Sequence, residues 1–406
     1  MTAPTRSYTV FGTIVPSSLC FASISRRAVT IRQRDYGSSP LKLSNSQERP
    51  LSTTTLCQQQ MSMASHRVPI APQSVDAPLT QHATFLVLAV RSPAEPQTRQ
   101  AIRSTLAGMS GRTKTVAMRD LGGRFSCVVG IGSDLWDHLF SSSAEVKKPA
   151  ELRPFRPIRG GKHAAPATRG DLLFHIRAER RDLCFEFERQ LLDSLGRGAD
   201  SVVEVVDETV GFRYFDARDL LGFVDGTANP LGAALPASVL VAASDISSGS
   251  NDPCSDPDYV AASTAVGGSY VVVQKYVHDM ARWNALNTEQ QESVIGRTKL
   301  TNEELDDVTE TTQSKAHKTL ATIVDEQTGE EHDILRDNMP FGSPGTGELG
   351  TYFIGYSRRL WVVEKMLERM FVGVPPGMHD RILDYSMPLT GTTFFAPSAS
   401  FLANLS

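Results

Sequence analysis

Apolar positions along the chain fall into short continuous runs more often than into long one-sided stripes. His82–Val90 reads HATFLVLAV and stops short of Pro93, the pattern of a strand buried on both faces. Further strands are predicted at Phe125–Ile131, Asp171–Ala178 and Ser201–Val206, with helices at Pro96–Met109, Ser133–Phe140 and Glu179–Gly196. Apart from the short helix at Ser133, the order is β-α-β-β-α-β, the ferredoxin-like arrangement. A second set follows, with a strand at Ser269–Tyr276, helices within Val277–Gly296, strands near His332–Arg336 and Thr351–Tyr356, helix Arg358–Phe371 and strand Thr392–Ala396. The residues show no obvious repeat, so element order alone predicts the fold class. It is α+β, a duplicated ferredoxin-like fold of the dimeric α+β barrel type, with antiparallel sheets flanked by helices. The halves are expected at 72–210 and 211–400. Between the predicted strands of the two halves, Leu231–Val266 is rich in Ala, Ser, Gly and Asp with Asn-Asp-Pro and Ser-Asp-Pro turns, and is expected to be an inserted, extended surface loop.

A chain of 406 residues, 40% hydrophobic and 21% charged, can bury a core large enough to enclose a sizeable cofactor. No apolar stretch approaches the eighteen or so residues of a membrane span. The formal charge of −4 and the lack of a basic stripe argue against nucleic acid as a partner. Five scattered cysteines fit neither a disulfide framework nor a CxxC metal site, and Cys127 and Cys184 read as small core residues. Residues 1–65 carry seven basic residues against Asp35 and Glu48 and are rich in Ser and Thr. That is the profile of a transit peptide, with the mitochondrion expected first, the plastid second and the cytoplasm as a further alternative. The competing readings are a disordered extension, or sequence upstream of a start at Met61 or Met63.

Three groups of polar residues stand where a fold alone does not require them. Asp225 lies between Gly222 and Gly226, ahead of Thr227-Ala-Asn-Pro230, where glycines permit tight turns and close approach to a flat ligand. The same pattern also reads as an Asx turn. Arg336-Asp337-Asn338-Met339-Pro340-Phe341-Gly342 follows the apolar Ile334-Leu335, and here the alternative is an Arg336–Asp337 ion pair. His317 is one of nine histidines. Together they offer the parts of a peroxidase site: an imidazole to ligate haem iron, a carboxylate to move a proton between peroxide oxygens, and a guanidinium to stabilise developing charge.

These residues also carry a family resemblance. Gly222–Gly226 with Thr227 and Pro230 resembles the GxxDG signature of the dye-decolorising peroxidases, and the Arg336–Gly342 stretch resembles the arginine segment of their shorter, B-like bacterial-type subgroup. Pro72–Val90, Phe125–Phe140, Phe155–Ala178, Gly267–Lys299 and Thr351–Ser398 are similar to the same subgroup, so the likeness runs over roughly 72–400. The resemblance implies one non-covalent haem b per chain in the second half, with His317 as proximal ligand of the iron. It places Asp225 and Arg336 on the distal side with Asn338 beside them, and Gly226 and Thr227 against the cofactor. It further implies reduction of hydrogen peroxide through an oxoferryl intermediate, with oxidation of phenolic, dye-like or other one-electron donors. The alternative is a haem-handling protein with incidental peroxidase activity. His278 is the rival iron ligand, and Asp380 and Asp384 are equal candidates to hydrogen-bond the proximal imidazole. Trp136, Trp283 and Trp361 are candidate electron relays, though packing is the commoner role for each. A homo-oligomer is plausible from the family, and no shell-targeting tail is expected after Pro397.

Overall fold

Eight long strands close on themselves. In the computed structural model they are β1 (His82–Val90), β2 (Ser126–Gly132), β3 (Leu172–Ala178), β4 (Val203–Phe212), β5 (Ser269–His278), β6 (Met339–Ser343), β7 (Glu348–Ser357) and β8 (Thr392–Ala396). The structure describes residues 70–405 except 142, 144–145, 197, 246–263, 307–314, 325–328 and 330. The transit-peptide reading of 1–65 therefore lies outside the described residues, as does the middle of the 231–266 stretch. All described residues belong to one compact unit, Met61–Ser406.

The ladder runs β7-β6-β4-β1-β3-β2-β8-β5 and returns to β7, every pairing antiparallel. Within it the first half is ordered β4-β1-β3-β2 and the second β8-β5-β7-β6. In each half the order is fourth, first, third, second, so two ferredoxin-like units join edge to edge and each covers the other's unpaired edges. One closing contact is tight: β6 meets β4 at Phe341↔Gly211, and a Cβ on Gly211 would stand 2.6 Å from Cβ of Met339.

Alternation along the strands divides the apolar residues between two cores. Phe85, Val87, Leu173, Val271, Val273, Tyr352, Ile354 and Phe394 point into the barrel. Leu86, Leu88, Phe174, Ile176, Val272 and Phe395 point outward against residues of the flanking helices such as Ile102, Leu139, Phe187 and Leu367. Burial on both faces explains why β1 reads as a continuous apolar run and why every residue of β3 is buried, its His175 and Arg177 included.

The barrel interior also holds charge. Arg177 on β3 is wholly buried and donates to Asp337 at 2.7 Å, and its other terminal nitrogen reaches the carbonyl of Ser74. Beside them His175 shares a 2.8 Å hydrogen bond with the Tyr356 hydroxyl, and its ring stacks on Phe85. Asp337 thus pairs across the barrel with Arg177, not with its neighbour Arg336.

Several boundaries differ from expectation. The Pro96 helix ends at Ala107, and a second helix, Met109–Ala117, follows across Gly108. β4 runs six residues past Val206 to Phe212, and β6 was not anticipated. The strand expected at His332–Arg336 is two short ones, Glu331–His332 and Leu335–Arg336. Leu231–Val266 is not wholly an extended surface loop: it carries a helix, Ala234–Val239, and Val239, Val241 and Ala265 are buried. Cys127 and Cys184 are free thiols, and burial pushes the Cys184 thiol up to about 12, which makes it inert at neutral pH.

Candidate active site

A cavity of about 580 Å³ opens between the outer face of β7, the helix Leu360–Phe371 and the loop that carries Asp225. Phe353, Val363, Met366, Leu367 and Met370 make much of its wall apolar, and its size is that of a small-molecule or cofactor site. The polar groups on its surface include His317, His278, Asp225, Arg336 and Asn338, with Gly226 and Thr227 beside them.

The Asp225 loop is fixed from several sides. Gly222 and Gly226 take φ of 95° and 78°, left-handed conformations that favour glycine, and the end of the Lys299 side chain lies over Gly222 where a Cβ would stand. Arg218 donates to the carbonyl of Gly222 at 2.9 Å, and Trp283 donates to that of Leu221 at 3.0 Å. Asp219 accepts from the Phe223 amide at 2.9 Å, and burial pushes its carboxyl up to about 7. Asp225 Oδ1 accepts the Gly226 amide at 2.7 Å and lies 3.4 Å from Asn338 Nδ2, while Asn338 Oδ1 accepts the Ile354 amide. The Asp225 side chain thus caps the adjacent Gly226 amide, one residue short of an Asx turn, while its carboxylate stays on the cavity wall.

Arg336 is clasped by its backbone. Asn229 Oδ1 accepts the Arg336 amide at 3.0 Å and Asn229 Nδ2 donates to its carbonyl at 2.7 Å. The Arg336 Nε is buried with no hydrogen-bond partner among the described residues. Alternation sends Arg336 and Asn338 to the cavity and Asp337 to the barrel interior. Asp225, Gly226, Arg336 and Asn338 also line a second cavity of about 30 Å³, shared with Arg213 and Tyr214, which has room for water-sized molecules only.

His317 opens a short helix, His317–Ala321, and its Nδ1 meets Asp380 Oδ2 at 2.6 Å. Burial opposes charging of the imidazole, but the Asp380 carboxylate outweighs it and the pKa is raised. Asp380 is fully buried and its other oxygen takes the Ile382 amide at 3.0 Å. With Nδ1–H donated to the carboxylate, Nε2 carries the free lone pair. His278 differs. Its Nδ1 pairs with Ser386 at 2.8 Å and its Nε2 with Thr351 at 2.9 Å, so both nitrogens are engaged, and burial lowers its pKa to about 4.

Of the two acids weighed for the proximal imidazole, Asp380 makes the bond, whereas Asp384 lies against His163 and His379. Of the candidate tryptophan relays, Trp136 and Trp283 are each 1% exposed, so neither offers a surface for a bulky donor, whereas Trp361 is half-buried against His332. Sequence reasoning missed Asn229, Asp219 and the inward role of Asp337. The Asn-Pro dipeptide at 229–230 and the charged Arg218-Asp219 ahead of Leu220-Leu221 were the available signals.

Comparison with known proteins agrees with this arrangement. Residues 72–213 match the family described as Dyp-type peroxidase, N-terminal, and residues 216–401 match Dyp-type peroxidase, C-terminal. The chain is 48% identical over 335 residues to a dye-decolorizing peroxidase of Rhodococcus erythropolis, covering 82% of this chain and 89% of that one. It is 47% identical over 333 residues to a dye-decolorizing peroxidase of Mycobacterium tuberculosis, covering 82% and 90%. Among solved structures, DypB from Rhodococcus jostii superposes with a TM-score of 0.71 at 50% identity, over 83% of this chain and 99% of that one. A variant of DypB solved in complex with heme gives 0.72 at 50% identity, over 84% and 100%. With family matches over both halves and relatives this similar along most of their length, the chain belongs to the DyP-type peroxidase family, in its B-type subgroup.

Proposed function

We propose that the large cavity binds one haem b and that the protein is a haem peroxidase that reduces hydrogen peroxide at the expense of small one-electron donors, phenolic or dye-like. The observation that carries the reading is His317: an imidazole on the wall of a largely apolar cavity, with Nδ1 tied to a buried carboxylate and Nε2 left for a metal. The unpartnered Nε of Arg336 on the same wall fits a bound anion or peroxide, and DypB variants solved with heme support the choice of cofactor.

Within that reading, haem supplies the redox chemistry that splits the peroxide O–O bond, and the chain supplies ligand, proton and charge. His317 Nε2 would hold the iron, and the Asp380 carboxylate bonded to its Nδ1 would raise the electron density of the imidazole. Asp225 on the cavity wall would accept a proton from peroxide and give it back to the departing oxygen. Arg336, which cannot lose its own proton, stabilises charge on the departing oxygen. Asn338 orients Asp225, and Gly226 and Thr227 let the loop lie close to the cofactor. The 30 Å³ cavity beside Asp225 and Arg336 is of a size for the water molecules of a proton relay and too small for aromatic donors.

Stopped-flow mixing of haem-loaded protein with peroxide tests these roles. Arg336→Leu is expected to slow the reaction about 100-fold or more, and Asp225→Ala to slow it less, because water can carry part of the proton transfer. A full-rate Arg336→Leu variant removes Arg336 from the mechanism, and a slow wild type with rapid haem release indicates a haem carrier. For residues 1–65 we propose a mitochondrial address, tested by imaging that segment fused to a fluorescent protein.

A further inference from the structure

Outside the cavity, three ligand-type side chains converge. His163 lies on the hairpin joining two short strands, Ile158–Arg159 and Ala164–Ala165, in the first half of the fold. In the second half, Asp384 ends the turn Arg381–Asp384 and His379 lies two residues before it. One ligand atom from each falls within 4.8 Å of the others. His163 Nε2 is 2.8 Å and His379 Nε2 3.2 Å from the same oxygen, Asp384 Oδ1. The two rings meet edge to face, with centroids 4.8 Å apart. None of the three lines the proposed haem cavity.

Two of the three donor separations already suit a metal ion, and the third is within 4.8 Å. Bonds of about 2.0 to 2.1 Å to nitrogen and oxygen place neighbouring donor atoms roughly 2.9 to 3.4 Å apart in tetrahedral or octahedral geometry. Both measured nitrogen–oxygen distances lie in or next to that range. Two imidazoles and one carboxylate are a donor set for first-row transition metals and zinc, and too poor in oxygen for calcium or magnesium. Side-chain exposures of 19%, 13% and 21% leave an entry path and room for water to complete the coordination.

The frame behind the ligands is fixed. The Gly160 amide donates to the His163 carbonyl at 2.9 Å, and a Cβ on Gly160 would collide with the Phe371 carbonyl oxygen, so the hairpin sits hard against the end of the Leu360–Phe371 helix. Arg282 holds the Asp384 carbonyl at 2.8 Å. One group competes. The ammonium of Lys162 also bonds Asp384 Oδ1, but its side chain is 57% exposed and can swing into water when a divalent cation takes its place.

We propose that His163, His379 and Asp384 form a binding site for a divalent transition-metal ion of the zinc class, independent of the haem site and linking the two halves of the fold. The ion would tie down His379 and Asp384, which bracket Asp380, the residue that holds His317.

Zinc chloride titrated calorimetrically into the haem-loaded full chain, after dialysis against a chelator, tests the site. One saturable zinc per chain is expected, with a rise in melting temperature. His163→Ala and His379→Ala should each weaken binding at least tenfold, and Lys162→Ala should strengthen it several-fold by removing the competing cation. Should His379→Ala fail to fold, His163→Ala on the hairpin gives the same reading. The proposal is overturned by absence of saturable binding, by undiminished affinity in His163→Ala, which would put the zinc elsewhere on the chain, or by weaker binding in Lys162→Ala.

Discussion

His317→Ala protein supplied with haem is expected to lose the ferric-haem absorbance of the wild type, while His278→Ala keeps it. The two histidines line the same cavity, and their nitrogens separate them. His278 has Ser386 on one side of the ring and Thr351 on the other, and burial holds it neutral, so ligating iron would require breaking a buried hydrogen bond. His317 gives Nδ1 to Asp380 and has no hydrogen bond at Nε2 among the described residues. Removing its ring leaves an apolar cavity with no axial donor, and free imidazole added to His317→Ala should restore part of the spectrum by filling the space. Asp380→Asn should retain haem but bind it about 10- to 100-fold more weakly, the usual cost of losing a carboxylate behind a ligating histidine. A wild-type spectrum in His317→Ala together with its loss in His278→Ala would reverse the assignment.

That assignment shows where sequence reading reached its limit. β1 was read with its observed bounds because a strand buried on both faces leaves a plain apolar run, and β8 because β-branched and aromatic residues, Thr392-Thr393-Phe394-Phe395, sit between turn residues. β4 was followed only to Val206, since Asp207, Glu208 and Thr209 interrupt its pattern; Thr209 is buried nonetheless and bonds Asp207. β6 was missed because Pro340 and Gly342 look like strand breakers, although Pro340 pairs with Thr351 in the barrel. The site was harder. Five residues of helix at His317 carry no periodicity, and nothing local marks that histidine among nine, so only the family resemblance singled it out. The carboxylate behind it is 63 residues away, and nothing in the chain favours Asp380 over Asp384 until the turn at Arg381 is folded. Which way each of Arg336, Asp337 and Asn338 points is likewise set by the barrel, whose closure joins strands far apart in sequence.

Asp337 carries the second large effect, and on stability. Asp337→Ala is expected to destabilise the fold by about 3 to 5 kcal/mol, because it strands a guanidinium inside the barrel. Arg177 and Asp337 are 0% and 1% exposed and 2.7 Å apart. Burial works against the charge on Arg177, and Asp337 is the main group that restores it. The surroundings offer little relief: among the described residues Arg177 Nε, Asp337 Oδ1 and His175 Nε2 already lack hydrogen-bond partners, and His175 Nε2 comes no nearer than 3.8 Å to Asp337. The cost should therefore come mainly from the unpaired charge and only in part from the lost contact. Replacing both partners, in Arg177→Met with Asp337→Leu, is accordingly expected to be milder than Asp337→Ala alone. Urea unfolding of haem-free single and double variants measures the coupling. A single-variant loss below about 1 kcal/mol, within the range of an exposed pair, would mean that water reaches the barrel interior. Since Arg336 and Asn338 flank Asp337 on the opposite face of the same backbone, Asp337→Ala should also slow the reaction with peroxide in whatever fraction remains folded, by loosening both side chains on the cavity wall.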